Sequence, residues 1–219
     1  MNKDTQRELT PDEAKRNEYF ENQKAQYGKE GYKSCDLTSS VVKSNVMAIL
    51  MVLPFVVIFT IMYIFVNKAS FSDLIRAAIH YETFLSFVLF WVVFFLLIVV
   101  HELIHGVFRA LFAKNGWKSI SFGFIKKYMT PYCSCNEPLT KFGYIVGAMM
   151  PVIILGFIPA IVAIAIGNAL LFYVSILMIL GGGGDMFTTY LLLTFKPNGK
   201  KAIYIDHPYL VGLTAFVKD

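Results

Sequence analysis

His101-Glu102-Leu103-Ile104-His105 carries the side chains best suited to chemistry, at a spacing that brings two of them together. On a helix, positions i and i+4 share a face, so His101 and His105 can grip one metal ion between them. Glu102 follows the first imidazole directly, where it can reach a water on that metal and act as general base. The competing reading is a chance match to a short motif. The surroundings argue against chance, because the box sits in an apolar run and ionisable groups at membrane depth are rare and usually functional. Two histidines do not hold a catalytic zinc alone; such sites use three protein ligands and keep a fourth position for water. The candidates for the third are His80, Glu137, Asp185, Asp206 and His207.

The elements that must position these groups are apolar. Of 219 residues, 56% are hydrophobic and 16% charged, with 20 Phe and 12 Tyr, which exceeds the apolar share of a soluble domain. The composition predicts an all-α integral membrane protein with four transmembrane helices and a small cytoplasmic β-hairpin. The spans fall at about 45–66, 84–113, 142–166 and 169–195, with Pro54 in the first and Pro151 and Pro159 in the third. Together they form a membrane domain, 45–195. A polar arm, 1–44, precedes it and a tail, 196–219, follows. The arm is expected to be solvated, with one helix capped by Thr10, started by Pro11 and Glu13, and stopped at Gly28. It shows no secretory signal to be cleaved. The 67–83 link is partly amphipathic. Alternation in Lys118-Ser119-Ile120-Ser121-Phe122-Gly123-Phe124-Ile125 predicts the hairpin, and Gly167-Asn168 a tight turn.

The net charge of +5 is no nucleic-acid signal, because the cations fall between apolar segments. They fix the expected orientation instead. The arm, residues 109–141 and the tail hold 8, 6 and 4 Lys or Arg, against 2 in the 67–83 link. Both termini and the 114–141 loop are therefore expected on the cytoplasmic side of a multi-pass cell-membrane protein. The cysteines, Cys35, Cys133 and Cys135, then face a reducing compartment. Cys133-Ser134-Cys135 reads as structural or as a metal or redox pair.

Depth separates the third-ligand candidates. His101 lies 17 residues after Phe84, and Asp185 lies 17 after Asn168. At 1.5 Å per residue both sit roughly 25 Å from the outer boundary. His80 belongs to the opposite face, and Glu137, Asp206 and His207 to cytoplasmic loops. Asp185 also needs a partner, since an unpaired aspartate within an apolar span costs several kcal/mol. The run Gly181-Gly182-Gly183-Gly184 before it either packs a helix closely or lets the helix loosen so that Asp185 reaches the second span. Arg109, one turn after His105, reads as an interfacial anchor or as a carboxylate-orienting group.

His101-Glu102-Leu103-Ile104-His105-Gly106 on one span, with Gly184-Asp185 two spans on, resembles the site-2-protease type of intramembrane zinc metalloprotease. It is more closely similar to a small bacterial family of membrane zincin peptidases, over roughly residues 84–212 and including Asp206-His207-Pro208. The resemblance implies one zinc ion per chain held by His101, His105 and Asp185, with Glu102 as catalytic base. It also implies a catalytic core of spans two to four. Site-2 proteases usually set the third ligand in Leu-Asp-Gly after an Asn-Pro element, whereas Asp185 precedes Met186-Phe187. The expected activity is hydrolysis of peptide or transmembrane-protein substrates in the bilayer. The alternatives are a non-catalytic metal-binding or scaffold protein and a metal-ion transporter. A transporter wants polar residues along a whole path, which spans one and three do not offer. Nothing in the chain specifies an oligomeric state.

Overall fold

The computed structural model describes residues 9, 11–79, 84–125, 130–198 and 200–218, and is mostly helical, at 69%, with two small sheets. In chain order come α1 (Pro11–Lys29), β1 (Tyr32–Ser39), α2 (Val41–Asn67), α3 (Phe71–Ile79) and α4 (Phe84–Phe112). After these come β2 (Ile120–Ile125), β3 (Thr130–Cys135) and α5 (Lys141–Pro151). A π-helical turn, Val152–Phe157, joins α5 to α6 (Ile158–Ile166). The chain ends with α7 (Ala169–Gly181), α8 (Gly183–Thr194), β4 (Ala202–Asp206) and β5 (Val211–Lys218). The Thr10 cap and His80 lie outside the described residues.

Three helical segments are long and apolar enough to cross a membrane: α2, α4 and the run Lys141–Ile166. A fourth forms if α7 and α8, bent by 47° at Gly182, are one broken span. Their outer faces are apolar and open, with Phe65 84% and Phe84 82% exposed, which is compatible with a lipid surrounding. The first span starts earlier than its hydropathy suggests because Ser40 caps α2, its side chain accepting from Lys43 N–H. The turn after α6 has the expected form. Gly167 is left-handed at φ 70°, and the Asn168 side chain caps α7 through Leu171 N–H at 2.8 Å. The 67–83 link contains a short amphipathic helix, α3, begun by a reciprocal Ser70–Asp73 capping pair.

Between the spans, β2 and β3 form the expected antiparallel hairpin. The second sheet was not expected. Its order is β1-β5-β4, all antiparallel, so the arm pairs with the tail. The arm is therefore not a free solvated segment. On α1, Phe20 is 4% exposed, packed with Phe216 and Ile205 of the sheet. Its helix passes Gly28 and ends at Lys29, and the left-handed residue is Gly31, φ 83°.

Candidate metal centre

The site lies where α4, α5 and α8 meet. On α4, His101 and His105 are buried one turn apart, their ring centroids 4.8 Å from each other. Asp185, in the first turn of α8, reaches both. Its Oδ2 lies 3.2 Å from His101 Nε2, and its Oδ1 lies 3.2 Å from His105 Nε2. The helix break makes this possible. Gly182 ends α7 against the Val152 side chain, and a Cβ on Gly183 would sit 2.9 Å from Ala48 O on α2. Only glycine fits in either place. The chain restarts as α8 at a new angle, and the positive end of its dipole lies beside the Asp185 carboxylate. Both sequence readings of the glycine run, close packing and a loosened helix, describe part of what is seen.

Glu102 is half-buried beside the pair, and one ligating atom from each of His101, Glu102 and His105 falls within 4.8 Å of the others. Asp185 is nearer to the imidazoles than that spread. The donor set suits zinc. Ligand atoms about 2.0–2.1 Å from a tetrahedral zinc are about 3.3 Å apart, close to the separations found here.

One support for His105 escaped the sequence reading. Its Nδ1 lies 2.7 Å from Gly147 O, a buried contact in which Nδ1–H donates. Pro151 stands four residues after Gly147 and has no N–H to give that carbonyl. The proline thus leaves an acceptor at the height of the imidazole, and the bond leaves Nε2 of His105 turned toward Asp185. Close approach of α4 and α5 rests on Gly143 and Gly147. Side chains there would meet Phe112 Cγ at 2.7 Å and Arg109 Cγ at 2.6 Å. The Gly-x-x-x-Gly spacing with a following proline was the available signal.

Arg109 is no interfacial anchor. It is buried, and its Nη1 donates to Cys133 O at 2.9 Å and to Asp206 Oδ2 at 2.7 Å. Asp206 also accepts from Cys135 N–H at 3.0 Å and from the Tyr144 hydroxyl. This network locks the tail onto α4 one turn past His105. The remaining third-ligand candidates are held elsewhere. Glu137 accepts from Asn115 N–H at 3.1 Å. His207 Nδ1 accepts from Leu210 N–H at 3.0 Å, and burial pushes this imidazole below its usual range, keeping it neutral. Burial pushes the Cys133 and Cys135 thiols up, to about 12 and about 11. Neither reactive thiolates nor a disulfide result, since both are free cysteines.

No curated protein and no solved structure matches the chain. Residues 94–200 do match the family model described as "Putative zincin peptidase". That segment runs from mid-α4 through α8 and so contains His101, Glu102, His105, Gly147, Pro151 and Asp185. Over this segment, a little under half of its length, the chain is similar to that zincin peptidase family.

Proposed function

We propose that the chain is a multi-pass membrane zinc metallopeptidase of the site-2-protease type, with both termini cytoplasmic, cleaving membrane or membrane-proximal peptide segments. The observation that carries this reading is the convergence of two imidazoles and a carboxylate from separate apolar helices, beside a second carboxylate. His101, His105 and Asp185 would hold the zinc. Bound there, zinc supplies a Lewis acid for the scissile carbonyl and brings the acidity of water toward neutrality. Glu102 takes the proton of the attacking water and delivers it to the leaving amine. His105 is kept in one tautomer by Gly147 O, and Asp185 is kept in place by the turn at Gly182.

A peptide in a helix bonds its carbonyls internally and must be extended before attack. The hairpin offers the means. Strand β2 packs on α4 at Gly106, the residue after His105, where a Cβ would lie 2.6 Å from Phe122 Cζ. An extended segment adds to the free edge of β2 as a further strand.

The test is metal analysis and peptide hydrolysis on purified wild type beside Glu102→Gln and Asp185→Ala. The expected result is zinc retained and hydrolysis lost in the first, and zinc lost in the second. Hydrolysis surviving Glu102→Gln would overturn the assignment of Glu102 as the base and of this site as the source of the activity. Zinc unaffected by Asp185→Ala would remove Asp185 from the ligand set.

A further inference from the structure

A cavity of about 650 Å³ lies between α1 and the hairpin. Lys15 and Arg16 of α1 and Lys118, just before β2, face it with, among the described residues, a single carboxylate, Glu137. Burial pushes the Glu137 carboxyl up, but hydrogen bonds from Asn115 outweigh it and hold the group below its usual range. That carboxylate is already engaged. Arg16 stacks over the Tyr132 ring at 4.6 Å, and its buried Nε has no hydrogen-bond partner among the described residues. Tyr132 in turn lies across Gly123, where any side chain would collide with the ring.

The register of the hairpin shows what this basic wall faces. Asn136 N–H donates to Ser119 O at 2.8 Å, which makes those residues a hydrogen-bonded pair. Such pairs alternate, so Ile120, Phe122 and Phe124 turn their backbone groups away from β3. Pro131, opposite Phe124, suits a position that needs no N–H within the hairpin. The Ile120 N–H bonds Trp117 O. Among the described residues no strand covers the rest of this edge. Ile120 and Phe122 direct their side chains to α4, and Ser121 and Gly123 line the cavity on the other face. Phe122, whose backbone groups lie on the free edge, borders the cavity as well. An extended chain on β2 alternates its own side chains in the same way. Every second one would lie on the same face of the sheet as Ser121 and Gly123, the face that lines the cavity.

We propose that this cavity is a specificity subsite that selects peptide segments with Asp or Glu at alternate positions. The inference rests on the peptidase reading, and binding tests it apart from cleavage. Full-length Glu102→Gln protein in neutral detergent is titrated with a fluorescein-labelled peptide alternating Asp with Val, and with its Asn counterpart. The Asp peptide should bind about tenfold more tightly at low salt, with the margin shrinking as salt rises. Adding Lys15→Gln, Arg16→Gln and Lys118→Gln together should erase the margin while leaving zinc content and melting unchanged. Equal binding of the two peptides overturns the subsite, and so does a margin that survives the triple substitution. Binding to phosphatidylserine vesicles that depends on the three cations, without a peptide margin, assigns the wall to lipid headgroups and also overturns it. Wild type that cleaves Asp and Asn peptides alike, with equal binding, refutes the subsite alone. Wild type that cleaves neither, while the binding margin stands, supports the subsite and refutes the peptidase reading.

Discussion

Pro151→Ala should weaken zinc binding without weakening the fold. The proline sits at φ −59° and ψ −44°, so alanine fits the backbone without strain. Substitution restores an N–H four residues beyond Gly147 O. That carbonyl is then drawn into the helix ladder, and His105 Nδ1–H loses its aligned acceptor at 2.7 Å. Outer-shell partners of this kind are worth about 10–100-fold in metal affinity, or about 1.4–2.7 kcal/mol. Stability moves the other way or hardly at all. Removing a proline from a helix gains up to about 3 kcal/mol, and trimming its buried ring loses about two methylenes, roughly 1.6 kcal/mol. The assay is zinc competition against a chelator on detergent-purified protein, paired with thermal melting. Pro159→Ala is the control, since it frees no group near the metal and should leave zinc affinity as in wild type. A Pro151→Ala protein that melts as wild type does and binds zinc equally well would refute the idea that the proline exposes Gly147 O for His105.

Other outcomes follow from the network behind α4 and from the buried thiols. Arg109→Met leaves the half-buried Asp206 without its cation and should cost about 3 kcal/mol, seen as a fall in melting temperature. Adding Asp206→Leu should recover part of that loss, because it removes the stranded charge. In the native protein Cys35, which is exposed, should react with iodoacetamide at pH 8, whereas Cys133 and Cys135 should react only after unfolding. The same thiols set a pH dependence. They hold their protons to about 12 and about 11 when folded, but release them near 9.0 when unfolded. The unfolded chain therefore binds fewer protons above pH 9, and stability should fall as pH rises toward 11. Melting of the Cys133→Ala, Cys135→Ala double variant should lack that component of the slope.

The parts of this molecule that hydropathy and local spacing encode could be read directly. The apolar runs mark α2, α4 and the later helices to within a few residues, and alternation marks β2. Equal residue counts from the span ends put Asp185 at the height of His101 and His105, where the structure has it 3.2 Å from each. What could not be read is the pairing of segments far apart in the chain. Strand β1, Tyr32-Lys33-Ser34-Cys35-Asp36-Leu37-Thr38-Ser39, has little alternation of its own. It becomes a strand because β5 lies beside it, with Thr214 Oγ1 donating to Asp36 at 2.7 Å across 178 residues. Arg109 misled for the same reason. At the end of an apolar helix it has the look of an anchor, and its true partner, Asp206, is 97 residues away.

The two irregular helices explain each other. In an apolar medium a backbone group that leaves its ladder needs another partner, so breaks survive where polar groups wait to receive what they free. The apolar run Lys141–Ile166 departs from regular geometry just after Pro151, and the α7–α8 pair breaks at Gly182. These defects touch: Gly182 lies against the Val152 side chain, and a Cβ on Gly156 would sit 2.7 Å from Ile179. One defect presents Gly147 O to His105, and the other swings Asp185 across both imidazoles. A regular pair of helices would bring neither group to α4. The irregularities therefore belong to the candidate metal centre, and substitutions that straighten either helix should trade zinc affinity for helix stability, as argued for Pro151.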